Sequence, residues 1–134
     1  MAEKELLAEY AAECSISAVG PIDLHKPTYA ALESSGAMRS FGAFDRGRMV
    51  GFSSVLTPVM PHYSRRVASP ESIFAAKGSG SAGRELMGAL TQYAKDADCV
   101  GMLLSAPVNG RLERLMEADK RYERTNSIFY RAFA

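Results

Sequence analysis

The stretch Ile73-Phe74-Ala75-Ala76-Lys77-Gly78-Ser79-Gly80-Ser81-Ala82-Gly83-Arg84-Glu85-Leu86-Met87 passes from a short apolar segment, through a loop of small residues, into an amphipathic segment. Strand, glycine-rich loop and helix in that order build an anion site. Three glycines and two serines between Lys77 and Gly83 let the backbone take positive φ. Several N–H groups then converge at the positive end of the following helix. A phosphate or pyrophosphate is the natural occupant, and a plain packing turn is the alternative.

Two phosphate loops are excluded by their own requirements. A Walker loop needs Gly-Lys-Ser/Thr directly before the helix, whereas Gly83 is followed by Arg84 and Glu85. A dinucleotide fingerprint needs an acid at the end of the next strand, and the strand expected at residues 100–104 runs into Ser105-Ala106-Pro107.

Outward from the loop, periodicity gives the remaining elements. Residues 81–96 place Leu86, Met87, Leu90, Tyr93, Ala94 and Ala97 on one helical stripe. Residues 99–105 form a continuous apolar run, which predicts a central strand buried on both faces. Asn109 is placed to cap a helix over residues 110–118 with Leu112, Leu115 and Met116 inward, and residues 122–133 read as one or two final strands. Upstream, residues 38–45 and 49–56 flank Arg46-Gly47-Arg48 as a hairpin, and residues 57–70 form a crossing segment with three prolines. A strand over residues 71–76 then enters the loop. At the N-terminus residues 4–14 align Leu6, Leu7, Tyr10, Ala11 and Cys14 as a first helix, and residues 28–34 read as a short second one stopped by Gly36.

The 134 residues suffice for one core, so a single domain over residues 1–134 is expected, of mixed α/β (α+β) class. A 47% apolar and 23% charged composition is that of an ordinary globular chain. No apolar run approaches a membrane span and no signal-peptide core is present, which reads as a cytoplasmic protein without a membrane partner. Cys14 and Cys99 are isolated and read as small buried residues; with only His25 and His62 beside them, no metal is expected. The net charge of +1 hides an acidic stretch through Glu33 and a basic remainder. That remainder suits an anionic cofactor better than nucleic acid, because its bases alternate with acids and lack an aromatic stacking set.

The order of elements and the loop together resemble the GNAT superfamily of N-acyltransferases, especially its short bacterial and phage-type members, over nearly the whole chain. Met49-Val50-Gly51-Phe52 is similar to the "lvGf" phrase that ends the family's hairpin. Lys77-Gly78-Ser79-Gly80-Ser81-Ala82 is similar to its Arg/Gln-x-x-Gly-x-Gly/Ala motif with Lys in first place, and Leu86-Met87 to the pair in the following helix. Gly83, directly after the motif, also allows a register one residue later.

The resemblance implies a mixed, mostly antiparallel twisted sheet flanked by about four helices, often dimeric. It implies acetyl-coenzyme A as acyl donor, with the amides of Lys77 through Arg84 (Lys77, Gly78, Ser79, Gly80, Ser81, Ala82, Gly83, Arg84) on the pyrophosphate. The backbone of Phe74, Ala75 and Ala76 would hold the pantetheine arm. Asn109 fits either a plain helix cap or the family's asparagine near the pantetheine. The implied activity is N-acetylation of a primary amine, on a small molecule or a protein, by direct attack in a ternary complex. One departure is notable: the family's tyrosine acid on the last helix is missing, since residues 114–118 hold no tyrosine and Tyr122 takes the aromatic position beyond it. This departure supports a second reading, a weak or inactive coenzyme A-binding domain with a regulatory or partner-binding role.

For the base that frees the amine, Glu71 is the first candidate, because it begins the strand that enters the loop. His62 and Tyr63 in the crossing segment are candidates for base, acid or pocket wall. Glu9 and Glu13 on the first helix are carboxylates suited to holding a cationic amine, or simply to solvating the helix.

Overall fold

In the computed structural model, which describes residues 3–16 and 19–133, a three-stranded antiparallel sheet is packed between helices. Helix α1 spans Glu3–Cys14 and α2 spans Lys26–Ser34, which starts two residues earlier than the periodicity suggested because Pro27 is accommodated in the first turn. Strands β1 (Met38–Asp45) and β2 (Arg48–Leu56) form the expected hairpin. Its turn residues Arg46 and Gly47 both have positive φ, 52° and 77°, which matches the right-handed twist of the flanking strands.

The crossing segment is more structured than its prolines suggested. It folds into a small antiparallel hairpin, β3 (Val59–Met60) with β4 (Arg65–Arg66), before β5 (Ser69–Ala75) returns to pair with β2. Helix α3 (Ala82–Asp96) follows the glycine loop, and α4 (Arg111–Ala118) closes the regular structure.

Strand alternation sorts the sheet into two faces. Toward α3 lie Val55 and Ile73, packed with Leu90, Ala94 and the buried Ala68. Toward α1 lie Phe52 and Phe74, packed with Leu6 and Tyr10. Gly51 explains the value of the Met-Val-Gly-Phe phrase: a Cβ there would sit 2.9 Å from Leu86 Cδ1 and 2.9 Å from the Phe74 carbonyl, so α3 approaches the sheet only because that atom is missing.

Three expectations fail beyond the glycine loop. Residues 99–105 are not a central strand buried on both faces. Their sheet pairing is a single parallel bridge, Met102 with Ala68, and Val100 and Leu103 are exposed. Residues 122–133 form no strand, and Ile128, Phe129 and Phe133 stand in solvent. Arg124 pairs with Glu113 and Glu117, which ties the start of this tail along α4 and away from the sheet; without it, residues 99–105 have one neighbour and stay an edge. Leu115 is exposed as well, because the tail does not cover that side of α4. The cysteines are free and half-buried, and burial pushes both thiols up in pKa.

Candidate functional site

Two features of β5 shape the site. The first is a bulge: Ser54 of β2 pairs with Ser72, but its neighbour Val55 pairs with Pro70, so Glu71 is the extra residue without a partner across the ladder. A bulge re-aims its side chain, and here the Glu71 carboxylate faces a cavity and accepts a 2.7 Å hydrogen bond from the Tyr29 hydroxyl.

The second is divergence. The main-chain bonds Ala68 N–H to the Gly101 carbonyl (3.0 Å) and Leu103 N–H to the Ala68 carbonyl (2.9 Å) tie the residue just before β5 to the 99–105 segment, and no such bond joins β5 itself to that segment among the described residues. Ala76 N–H donates to the Val50 carbonyl (2.8 Å), which fixes the phase of the β2–β5 ladder. By that phase the main-chain groups of Ile73 and Ala75 point away from β2, into the gap. This gap opens directly onto the glycine loop.

In the loop Gly78 and Gly80 take positive φ, 79° and 64°, and Ser81 precedes the first turn of α3. The amides of Ser79, Ala82 and Glu85 are used internally, by the carbonyls of Ala76, Ser79 and Ser81. Those of Gly80, Ser81, Gly83 and Arg84 have no internal acceptor among the described residues, as expected of a helix start, and are free for an anion. Lys77 and Arg84 are exposed beside them.

Helix α1 is fastened to this edge by Arg111. Its Nε and Nη2 donate to the two carboxylate oxygens of Glu13 at 2.7 and 2.8 Å, Nη2 also donates to the Ala75 carbonyl at 2.8 Å, and the guanidinium lies 5.7 Å from the Phe74 ring centre. The hydrogen bond from Arg111 holds the Glu13 carboxyl below the usual range. Glu9 Oε2, one helical turn earlier, is buried without a hydrogen-bond partner among the described residues.

The cavity itself, about 650 Å³, lies between α1, residues 15–16 and 19–25 of the connector, α2 and the sheet face that carries Phe52. A smaller one of about 160 Å³ adjoins it, and His25, Tyr29 and Glu71 line both. Burial, reinforced by the bond to Glu71, raises the Tyr29 phenol strongly, so it stays protonated and donates. Tyr10 packs edge-on against Phe52 and Phe74 at 5.1 and 5.5 Å, and burial raises its pKa as well.

Glu71, Phe74, Ala75, Ala76 and the loop from Lys77 to Arg84 are therefore contiguous. His62 and Tyr63 are not with them: they stack on each other at 5.0 Å in the exposed turn of the small hairpin, and neither lines the cavity. Asn109 does not cap α4. Its φ is +61°, Gly110 holds the cap position, and its own N–H is bonded to Glu113. Sequence reasoning missed Tyr29 and Arg111. A phenol on a short helix and an arginine at a helix start carry no local signal of a partner 42 or 36 residues away. No group of three or more His, Cys, Asp or Glu that could hold a metal is found among the described residues, nor any helix long and apolar enough to cross a membrane.

No family model matches the sequence, and no curated protein matches it either. Solved structures match closely in shape. A ribosomal-protein-alanine N-acetyltransferase from Brucella melitensis biovar Abortus 2308 superposes with a TM-score of 0.67 at 22% identity, over 96% of this chain and 88% of its own. An aminoglycoside acetyltransferase from an uncultured soil metagenomic sample gives 0.73 at 13% identity, over 100% and 93%. A predicted acetyltransferase from Clostridium acetobutylicum, solved with acetyl-coenzyme A, gives 0.68 at 9% identity, over 96% and 88%. The chain thus has the fold of these acetyltransferases.

Proposed function

We propose that this chain is a single-domain, cytoplasmic N-acetyltransferase that moves an acetyl group from acetyl-coenzyme A to a primary amine. The observation that carries this reading is that one strand supplies both halves of the site: β5 leads into the glycine loop at one end and presents Glu71 to the cavity at the other. From Ala75 back to Glu71 is four residues, roughly 13 Å of extended chain, a distance a pantetheine-like arm spans.

The residues divide the work as follows. The free amides of Gly80, Ser81, Gly83 and Arg84 receive the diphosphate, with Lys77 and Arg84 adding charge. Amides of the arm extend the sheet at the outward groups of Ile73 and at Ala75 N–H, because the Ala75 carbonyl is already taken by Arg111. Glu71, with one oxygen held by Tyr29, uses the other to take a proton from the incoming ammonium, directly or through water. The neutral amine nitrogen attacks the thioester carbon, the C–N bond forms as the C–S bond breaks, and the thiolate leaves. It is protonated by solvent, which also takes the proton that the acylated nitrogen sheds to become the amide.

The test is calorimetry and thermal shift with acetyl-coenzyme A, followed by thiol release over an amine panel. Binding together with amine-dependent thiol release is expected; no heat and no shift would end the reading. A second reading, a coenzyme A-binding domain without turnover, draws on one observation: Tyr122 lies against Met87 of α3, its hydroxyl 3.9 Å from the sulfur, and supplies no acid to the site. Binding without thiol release on any amine is its signature.

A further inference from the structure

The cavity's lining is lopsided. Its polar groups gather around the β5 bulge: Glu71, the Tyr29 hydroxyl bonded to it, Ser72 next in sequence, Ser54 across the ladder, and His25 where the two cavities meet. The rest of the wall is mostly apolar, built by Leu6, Leu7 and Tyr10 of α1, by Met49 and Phe52 of β2, and by the connector, where Ser15 and Asp23 are the polar side chains. In that connector Ile16, Val19 and Leu24 line the cavity and yet are 55%, 62% and 41% exposed, a cluster of apolar surface with nothing over it among the described residues.

Resting on the acetyltransferase reading above, we infer that the acceptor is a small monoamine on an apolar body, an arylalkyl- or alkylamine. Its ammonium is held by Glu71 and its body lies against α1 and the connector. The size fits, since about 650 Å³ is a pocket for a ligand of drug-like dimensions. The charge fits too: among the described lining residues only Asp23 and Glu71 are acidic, enough for one ammonium and a second polar contact.

A polyhydroxylated polyamine of the aminoglycoside type would bring more ammonium groups than the two lining carboxylates, Asp23 and Glu71, can pair and would press the rest against a mostly apolar wall, and each buried, unpaired polar group is costly. A peptide amino terminus fails for a related reason. Its backbone amides would lie along the mostly apolar wall away from Glu71, where Ser15, Asp23 and the Tyr10 hydroxyl are too few to meet them.

The experiment uses the full chain and measures acceptor binding without any donor, by calorimetry with phenethylamine, hexylamine, kanamycin and a tripeptide with a free amino terminus. Phenethyl alcohol serves as the analogue lacking the ammonium. The apolar monoamines are expected to bind at least about tenfold tighter than kanamycin or the tripeptide. Glu71→Gln is expected to weaken phenethylamine about tenfold and to leave phenethyl alcohol within about twofold, as fits a lost charge-assisted contact. Tyr29→Phe, which keeps the ring and removes only the hydroxyl on Glu71, repeats the test at lower risk to folding. In turnover with acetyl-coenzyme A the same order of amines is expected.

Preference for kanamycin or the tripeptide would overturn the inference, as would equal weakening of the amine and the alcohol by both variants. The two readings fail separately. Acetyl-coenzyme A turnover on polar acceptors would leave the enzyme and remove this acceptor class. Monoamine binding in the expected order, with no binding of acetyl-coenzyme A, would leave the cavity assignment and remove the donor.

Discussion

Replacing Arg111 with alanine cuts a side chain that joins α1, β5 and α4, and the structure allows its cost to be worked out. The ion pair with Glu13 is bidentate and part-exposed, at 37% and 20% of the two side chains, which places it at the upper end of surface pairs, about 1 kcal/mol. The bond to the Ala75 carbonyl is charge-assisted and adds about 1 kcal/mol, and the guanidinium over Phe74 adds about 0.5 kcal/mol. The total of about 2.5 kcal/mol corresponds to a fall in Tm of roughly 8–12 °C for a chain of this size. Thermal unfolding followed by circular dichroism measures it. A double-mutant cycle with Glu13→Gln isolates the pair, with an expected coupling of about 1 kcal/mol. Arg111→Lys recovers only part of the loss, since an ammonium cannot reproduce the two-pronged contact. A parent-like Tm for Arg111→Ala, or zero coupling in the cycle, would refute this account of how α1 is held.

The same pair makes a pH prediction. The Glu13 pKa is depressed in the folded state, so its contribution is fully present above the unfolded value near 4.5 and is lost as pH falls through the lower folded value. The Tm gap between the parent and Glu13→Gln therefore closes as pH is taken from 7 to below that window, and a gap that widens on acidification contradicts the assignment. Gly51→Ala puts a Cβ against Leu86 and the Phe74 carbonyl at 2.9 Å, so a loss of about 1–3 kcal/mol by denaturant titration is expected, and no change would mean that α3 has slack there. Gly80→Asp meets a φ of 64° that Asp tolerates at about 1 kcal/mol but sets a carboxylate among the loop amides. Acetyl-coenzyme A binding should vanish in calorimetry while Gly80→Asn, with the same backbone demand and no charge, keeps most of it. Equal effects of the two would argue against an anion at the loop.

Local chemistry made the hairpin, α3 and the glycine loop legible, because each is written in contiguous residues. Arg46-Gly47 demands its turn, Leu86, Leu90 and Ala94 repeat with the helix, and Gly78 and Gly80 take the φ values that glycine permits. The polar half of the site was not legible, apart from Glu71 itself. Glu71 acquires its role from a bulge that exists only when β2 and β5 are in register, and Tyr29 and Arg111 from contacts across distant elements. The apolar run at residues 99–105 misled for a related reason. Composition suggests burial on both faces, but burial requires covering elements, and the tail that would supply one is tied along α4 by Arg124.

The parting of β5 from residues 99–103 leaves the main-chain edge at Ile73 and Ala75 as an adhesive strip, a ready template for a strand from any other chain. A ligand lying along this strip, as proposed for acetyl-coenzyme A, would do more than react there. It would shield the edge from self-association and shift the folding balance by mass action, by about 2.7 kcal/mol at a hundredfold excess over its Kd. For a chain of ordinary marginal stability that is a large fraction of the whole, so the lifetime of this protein in a cell should follow the local supply of that ligand.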